Sequence, residues 1–263
     1  MNKISPVSVV AEAFRLLWRR KLAFLGLALL PVLIIAVLVV LVASVLPLDG
    51  VGTEGDSEIL LKVLILAAYL MGTFALMLLM HYSTTAMRNM PKLLPSPLLK
   101  RFRSFLWMGV RICSISFLVT GCYVLPIVIA MWLIGSEGSV IPPLMLMPLV
   151  FIAILASLIL LLRFSPLVPG VSVGELHSLA QAWRLSKGHG IRMLLSFLLL
   201  YLPVIVLFFV YTGVIGIVDV TVASSFTDAY AVLGSLLSFV VSLVHLLTIV
   251  VWYEKLRLRH EAV

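Results

Sequence analysis

Apolar residues fill most of the chain in long runs, separated by short stretches where the charged residues collect. A run of about 20 apolar residues in helical form spans the hydrocarbon core of a bilayer. Six runs reach that length, at 22–46, 58–81, 107–134, 143–163, 192–217 and 229–252. They pair into three hairpins with short outer loops. The first helix of each pair carries a proline inside the apolar run, at Leu30-Pro31-Val32, Leu125-Pro126-Ile127 and Leu202-Pro203-Val204. The second closes on an aromatic, Tyr82, Phe164 or Tyr253, a residue type that favours the headgroup level. The expected fold is all-α: one transmembrane domain over 1–263, a polytopic bundle of six helices.

Two polar-flanked segments follow a different rhythm. Residues 7–18 (VSVVAEAFRLLW) and 176–187 (LHSLAQAWRLSK) align at a constant offset of 169. Val7, Val10 and Phe14 match Leu176, Leu179 and Trp183, while Ser8, Glu12 and Arg15 match His177, Gln181 and Arg184. Steps of three and four place each set on one helical face. The pattern predicts interfacial amphipathic helices over about 6–20 and 175–187, lying along the membrane surface ahead of the first and third hairpins. A rougher counterpart precedes the third span, with Ser96-Pro97 as its start and Phe102-Arg103 echoing Phe14-Arg15. With the three prolines, these matches read as internal repetition. Gly188 then stops the second interfacial helix, because glycine adopts the left-handed conformation at a helix end.

Composition sharpens this picture. At 63% apolar and 11% charged, the chain lies far from a soluble domain, which is about 45–50% apolar and about 25% charged. A water-soluble globule, a disordered chain and a disulfide-stapled module are all excluded. The net charge of +8 is distributed by segment: 18 of the 19 Lys and Arg, with only four acids, fall on one side of the six-span topology. The positive-inside rule places that side, and both termini, in the cytoplasm. Anionic headgroups, rather than nucleic acid, are the expected partners of this basicity. The first apolar run is too long for a signal-peptide core of roughly 7–15 residues and is expected to be retained. Cys113 and Cys122 fall on opposite faces of one helix, so they cannot pair with each other and are expected to pack inside.

Candidate chemistry is sparse. No acid lies near the middle of a span, which argues against proton relays and paired-carboxylate hydrolysis. His245 shares a helical face with Ser238 and Ser242, a spacing that suits close helix packing with hydrogen bonds across the contact. Pro31, Pro126 and Pro203 free backbone carbonyls, so with His245 they are the residues a transport cavity would use. No metal site or cofactor is expected, since the histidines lack clustered carboxylates or thiols. The candidate contacts for lipid or a partner are Arg15, Arg19, Arg20, Lys100, Arg101, Arg103, Trp183, Arg184 and Lys187.

The stretch Leu179-Ala180-Gln181-Ala182-Trp183-Arg184-Leu185-Ser186-Lys187-Gly188, with the ending Trp252-Tyr253-Glu254-Lys255-Leu256-Arg257, resembles a six-helix bacterial membrane-protein family. That family includes the membrane domain fused ahead of glycerophosphoryl diester phosphodiesterase catalytic domains, and stand-alone inner-membrane proteins of unassigned function. Ala182 stands where the family more often has serine. The resemblance implies an architecture and no reaction, since no room for a catalytic domain follows residue 253. The expected function is non-enzymatic: a scaffold, regulator or assembly factor at the lipid or envelope level, with a membrane-protein partner or a second copy as a further contact. The second reading is a permease or transporter subunit for a lipidic or neutral solute.

Overall fold

The computed structural model describes residues 4–29, 33, 37, 54–92, 94–136, 147–215 and 220–262. Among them every regular element is an α-helix, with no strand. In chain order the helices are α1 (Pro6–Arg19), α2 (21–29), α3 (Glu54–Met87), α4 (Leu98–Ser136), α5 (Met147–Phe164), α6 (Leu167–Val173), α7 (Leu179–Leu185), α8 (Gly190–Ile215) and α9 (Val220–Glu261). Helix α9 is the post of the bundle, packing against α1, α3, α6, α7 and α8. On one flank α4 and α5 lie together, α4 reaching α6 and α5 reaching α8.

The described core gathers toward the basic end. Phe24, Met77, Met80, Leu167, Met193, Leu247, Val251, Trp252 and Tyr253 are among its buried members. Away from that end, Val63 and Leu66 on α3, Phe117 on α4, Phe151 on α5 and Leu202 on α8 stand exposed. Apolar side chains turned outward on long helices are what a lipid surround requires.

Three stretches of described helix are long and apolar enough to cross a membrane: Ile65–Met87, Ile154–Val173 and Gly234–Glu261. A fourth is reached if α7 and the start of α8, bent by 84°, count as one broken span. That is fewer than the six runs of the sequence pattern. Of the run 22–46 only 22–29, 33 and 37 are described; of 107–134 the side chains beyond 121 lie outside the described residues, although its helical backbone continues to Ser136.

Several helices run differently from the sequence pattern, each for a local reason. Helix α3 passes the expected stop at 81 because Thr84 and Thr85 donate their hydroxyls to the carbonyls of Met80 and His81, at 2.7 and 3.0 Å, which satisfies polar side chains without leaving the helix. Helix α9 passes 252 because Arg257 bonds Glu254 and Glu261 at i−3 and i+4 on one polar edge. Helix α7 is half the expected 175–187. A capping box opens it at Ser178, whose hydroxyl accepts from the Gln181 N–H while the Gln181 side chain accepts from the Ser178 N–H. The residues freed before it continue from a short helix, α6, which the sequence pattern did not show; Gly174 closes α6 at φ 78°. The counterpart helix at Phe102-Arg103 is no separate element, being the first turns of a continuous α4 that starts at Leu98. Cys113 is exposed rather than packed inside, and Cys122 lies outside the described side chains.

The offset of 169 survives in the backbone. It carries the start of α2 at residue 21 onto the start of α8 at Gly190, so the breaks after α1 and α7 fall at equivalent positions. It also carries Ala13 onto Ala182, and both are fully buried. Gly188 has the left-handed φ expected of it, 76°, although α7 ends earlier, at Leu185 with Ser186 as its cap.

Candidate functional site at the basic end of the bundle

The ending of α9 is tied to four different parts of the chain by successive side chains. Trp252 donates its indole N–H to the Ser196 hydroxyl on α8 at 3.1 Å. The Tyr253 hydroxyl donates to Glu175 in the loop before α7. Glu254 accepts from Arg88, in the turn after α3, and Lys255 pairs with Glu12 of α1 at 2.8 Å. Four consecutive residues therefore pin two helices, a turn and a loop to one post.

Arg88 is the centre of this network. Its guanidinium reaches Glu175 with both Nη groups, at 2.5 and 2.8 Å, and Glu254 with Nε and Nη2, at 2.8 and 2.6 Å. A planar guanidinium suits two carboxylates at once. The Arg88 hydrogen bonds hold the Glu175 carboxyl below the usual carboxylate range, against a smaller opposing effect of burial. Glu254 is 5% exposed and is shared with Arg257. Sequence reading missed this cluster, whose only advance signal was that four acids on so basic a side need partners.

All four of those acids are in fact paired. Glu12 takes Lys255, Glu175 takes Arg88, Glu254 takes Arg88 and Arg257, and Glu261 takes Arg257. Three bases thus hold the four described acids of this end in ion pairs.

The nine sequence-predicted contacts then divide. Arg15 and Arg19 are exposed on α1, Lys100 and Arg103 on the first turns of α4, and Arg184 and Lys187 at α7 and the turn after it. Arg20 instead donates to the Tyr82 hydroxyl at 3.5 Å, beside the edge-on Phe24–Tyr82 ring pair. Arg101 donates to the carbonyls of Ser96 and Ser172, at 3.1 and 3.2 Å, and lies across Gly174, where a Cβ would come within 3.2 Å of its guanidinium carbon. These two are fastenings rather than open contacts. Trp183 is a shelf: the Arg163 guanidinium lies over its ring at 3.3 Å, and the Phe164 ring sits 5.6 Å away.

Helix α1 has three faces. At 100° per residue, Val9, Ala13, Leu16 and Leu17 point one way and pack into the bundle. Ser8, Glu12, Arg15 and Arg19 form the polar edge. Val7, Phe14 and Trp18 form an exposed apolar edge. The face that the sequence aligned as apolar is therefore the outward one, and the docked face is a second apolar set beside it.

His189, in the turn between α7 and α8, is buried against Trp252. Its Nδ1 lies 2.9 Å from the Lys187 carbonyl and its Nε2 lies 2.8 Å from Nη1 of Arg259, a donor, so Nδ1 carries the proton in the neutral ring. Burial, aided by the neighbouring arginines, pulls its pKa below that of an ordinary histidine.

The candidate packing set is not one site. The Nδ1 of His245 lies 3.0 Å from the Tyr201 hydroxyl, with the Phe197 ring 4.4 Å from its own, so its partners are on α8. Ser238 and Ser242 are both exposed, Ser242 on the side of α2 and α3. There it lines an open apolar cleft of about 220 Å³ with Leu27, Ala28, Ala75, Phe239 and Leu246. Neither Pro203, which is exposed, nor His245 lines that cleft. Pro31 and the side chain of Pro126 lie outside the described residues. Among the described residues no group of three or more His, Cys, Asp or Glu side chains is placed to hold a metal ion. Compared with known proteins, the chain matches no family model, no curated protein and no solved structure.

Proposed function

We propose that the chain is a non-enzymatic, multi-pass protein of a bacterial cytoplasmic membrane, with six spans in three hairpins and both termini inside. It works at the lipid or envelope level as a scaffold, regulator or assembly factor. One observation carries this reading: the four described acids at the basic end are all held by Lys255, Arg88 and Arg257, so among the described residues Arg15, Arg19, Lys100, Arg103, Arg184 and Lys187 present positive charge with no carboxylate paired to them. Next to an anionic leaflet each such base is worth on the order of 1 kcal/mol. The partners are anionic phospholipid headgroups, together with a membrane-protein partner or a second copy; nucleic acid is not among them. The resemblance to the membrane domain of the glycerophosphoryl diester phosphodiesterase family supports the same reading, since the tail residues that carry it form the network on which the bundle closes.

A permease for a lipidic or neutral solute draws support from the apolar cleft at Ser242. Its volume of about 220 Å³ is smaller than the roughly 300–1,000 Å³ of ordinary ligand pockets, which ranks this reading second.

The test joins topology to lipid content. In a cysteine-free background, single cysteines at Asp56, Glu137 and Asp228 are expected to label from outside intact cells, and cysteines at Lys100, Lys187 and Arg259 are not. Protein purified with its native lipids is expected to be enriched in anionic phospholipid, and neutralising the six exposed bases to glutamine is expected to remove the enrichment. Labelling of an inner site with protection of an outer one overturns the topology; unchanged lipid content overturns the role of the basic end.

A further inference from the structure

The corner where α5 ends and α8 begins holds a cation that no carboxylate meets. Arg163 lies flat on Trp183 at 3.3 Å, and its Nε is buried without a hydrogen-bond partner. No acidic group among the described residues faces it. The stack is built in from three sides. Gly190 leaves room for the arginine stem, since a Cβ there would lie 3.4 Å from Arg163 Cγ and 3.0 Å from Ile159. Ser186 donates its hydroxyl to the Arg163 carbonyl at 2.9 Å, which fixes the turn after α7 against the end of α5. Phe164 backs the Trp183 ring. A guanidinium held flat on an indole keeps its outward N–H groups fixed in one plane, the geometry that grips a phosphate through two oxygens.

The surroundings select the kind of anion. Arg184 and Lys187 are exposed on the same short helix and the turn after it. Immediately beyond Gly190, Ile191, Leu195, Leu198 and Leu202 form an exposed apolar ridge down α8, at helical spacing. A basic seat at the head of an apolar track matches an amphiphile with a phosphate at one end and acyl chains behind it.

We propose that this corner is a discrete binding site for the phosphate of an anionic phospholipid, with Arg163 as the seat and Trp183 as the shelf that orients it. It rests on the membrane reading above and deepens it, replacing diffuse attraction at one point with a built site.

The test uses the full-length protein in detergent, titrated with phosphatidylglycerol or phosphatidylcholine and read by native mass spectrometry. The wild type is expected to hold phosphatidylglycerol about tenfold more tightly, the ratio one charge-assisted contact supports. Arg163→Gln is expected to abolish that preference, and Arg163→Lys, which keeps charge but loses the planar stack, to weaken it. An unchanged preference in Arg163→Gln overturns the proposal. If that variant does not fold, Trp183→Leu takes its place: lost preference supports the site and unchanged preference overturns it. Inorganic phosphate displacing the lipid at equal concentration overturns the assignment to phospholipid. A preference that survives Arg163→Gln but disappears when Arg15, Arg19, Lys100 and Arg103 are neutralised defeats the discrete site and leaves the general basic surface standing. A wild type that does not discriminate between the two lipids defeats both.

Discussion

The chain breaks twice between an amphipathic helix and an apolar one, at residue 20 and again at 186–189, in the same register. The two elbows share a fully buried alanine, Ala13 or Ala182, on the face that docks into the bundle. They differ in how they are held. The first is a helix of 14 residues lying along α9, fixed at its polar edge by the Lys255–Glu12 pair, whose side chains are 26% and 41% exposed. The second has 7 helical residues, opened by a capping box, closed before a left-handed glycine, and anchored upstream through Glu175 to the buried Arg88–Glu254 network. One pattern thus yields a surface-held arm and a locked corner. Packing through the small residue is common to both; the electrostatics decide which one can move.

The largest break in the comparison is expected at Arg88. Arg88→Leu leaves Glu175 and the buried Glu254 without their shared partner. The expected loss is about 3 kcal/mol, the low end for breaking a buried pair because Arg88 is itself 25% exposed. It is measured as a fall in thermal stability of the detergent-solubilised protein.

Next in size are Ala13→Leu and Ala182→Leu, which overfill closed positions. Each is expected to cost about 1–3 kcal/mol. The more informative result is the difference: a smaller loss at Ala13, with increased proteolysis near residue 20, shows an arm that lifts away where the corner cannot. Equal losses with no new cleavage would make the two elbows equally locked.

Smaller still is the effect of Glu12→Gln, expected to be about 0–1 kcal/mol because the pair it breaks is largely exposed. The same substitution is expected to raise the accessibility of a label at Ser8 without changing the melting temperature appreciably.

The smallest effect is a pH dependence. Glu175 has its carboxyl held below the ordinary value of 4.5 by Arg88, so its contribution is complete above pH 4.5 and is lost as the pH falls through the lowered value. The wild type is expected to lose stability on acidification in that window, and Glu175→Gln to show a shallower slope there. Parallel curves would mean that Glu175 contributes nothing through its charge.

The legible parts of this molecule are local ones. Helix α1, at Pro6–Arg19, lies where its periodicity put it, and Gly188 takes the left-handed conformation expected of it, in the turn after α7. Both depend on neighbours within a turn or two. The Arg88 network was not legible, because its partners lie 87 and 166 positions away and leave no periodic trace. For the same reason Arg20 and Arg101 read as open basic residues, although each is consumed by a hydroxyl or carbonyl from a distant helix. The face of α1 was misread because both its apolar edges satisfy steps of three and four, and only the bundle distinguishes them. Helix α6 escaped notice because seven residues between two breaks carry no span-length signal.

The contact between Lys255 and the polar edge of α1 joins residues 247 positions apart at Ser8. A ribosome working at about 5–20 residues per second takes roughly 10–50 s to lay down that interval. Throughout that time α1 exists without α9. Its outward apolar edge, Val7, Phe14 and Trp18, supplies a place to wait, since it can rest on a membrane surface before α9 arrives. The docked face meets α8 first and closes fully only when α9 has emerged, so an early helix reports that a late one has been delivered.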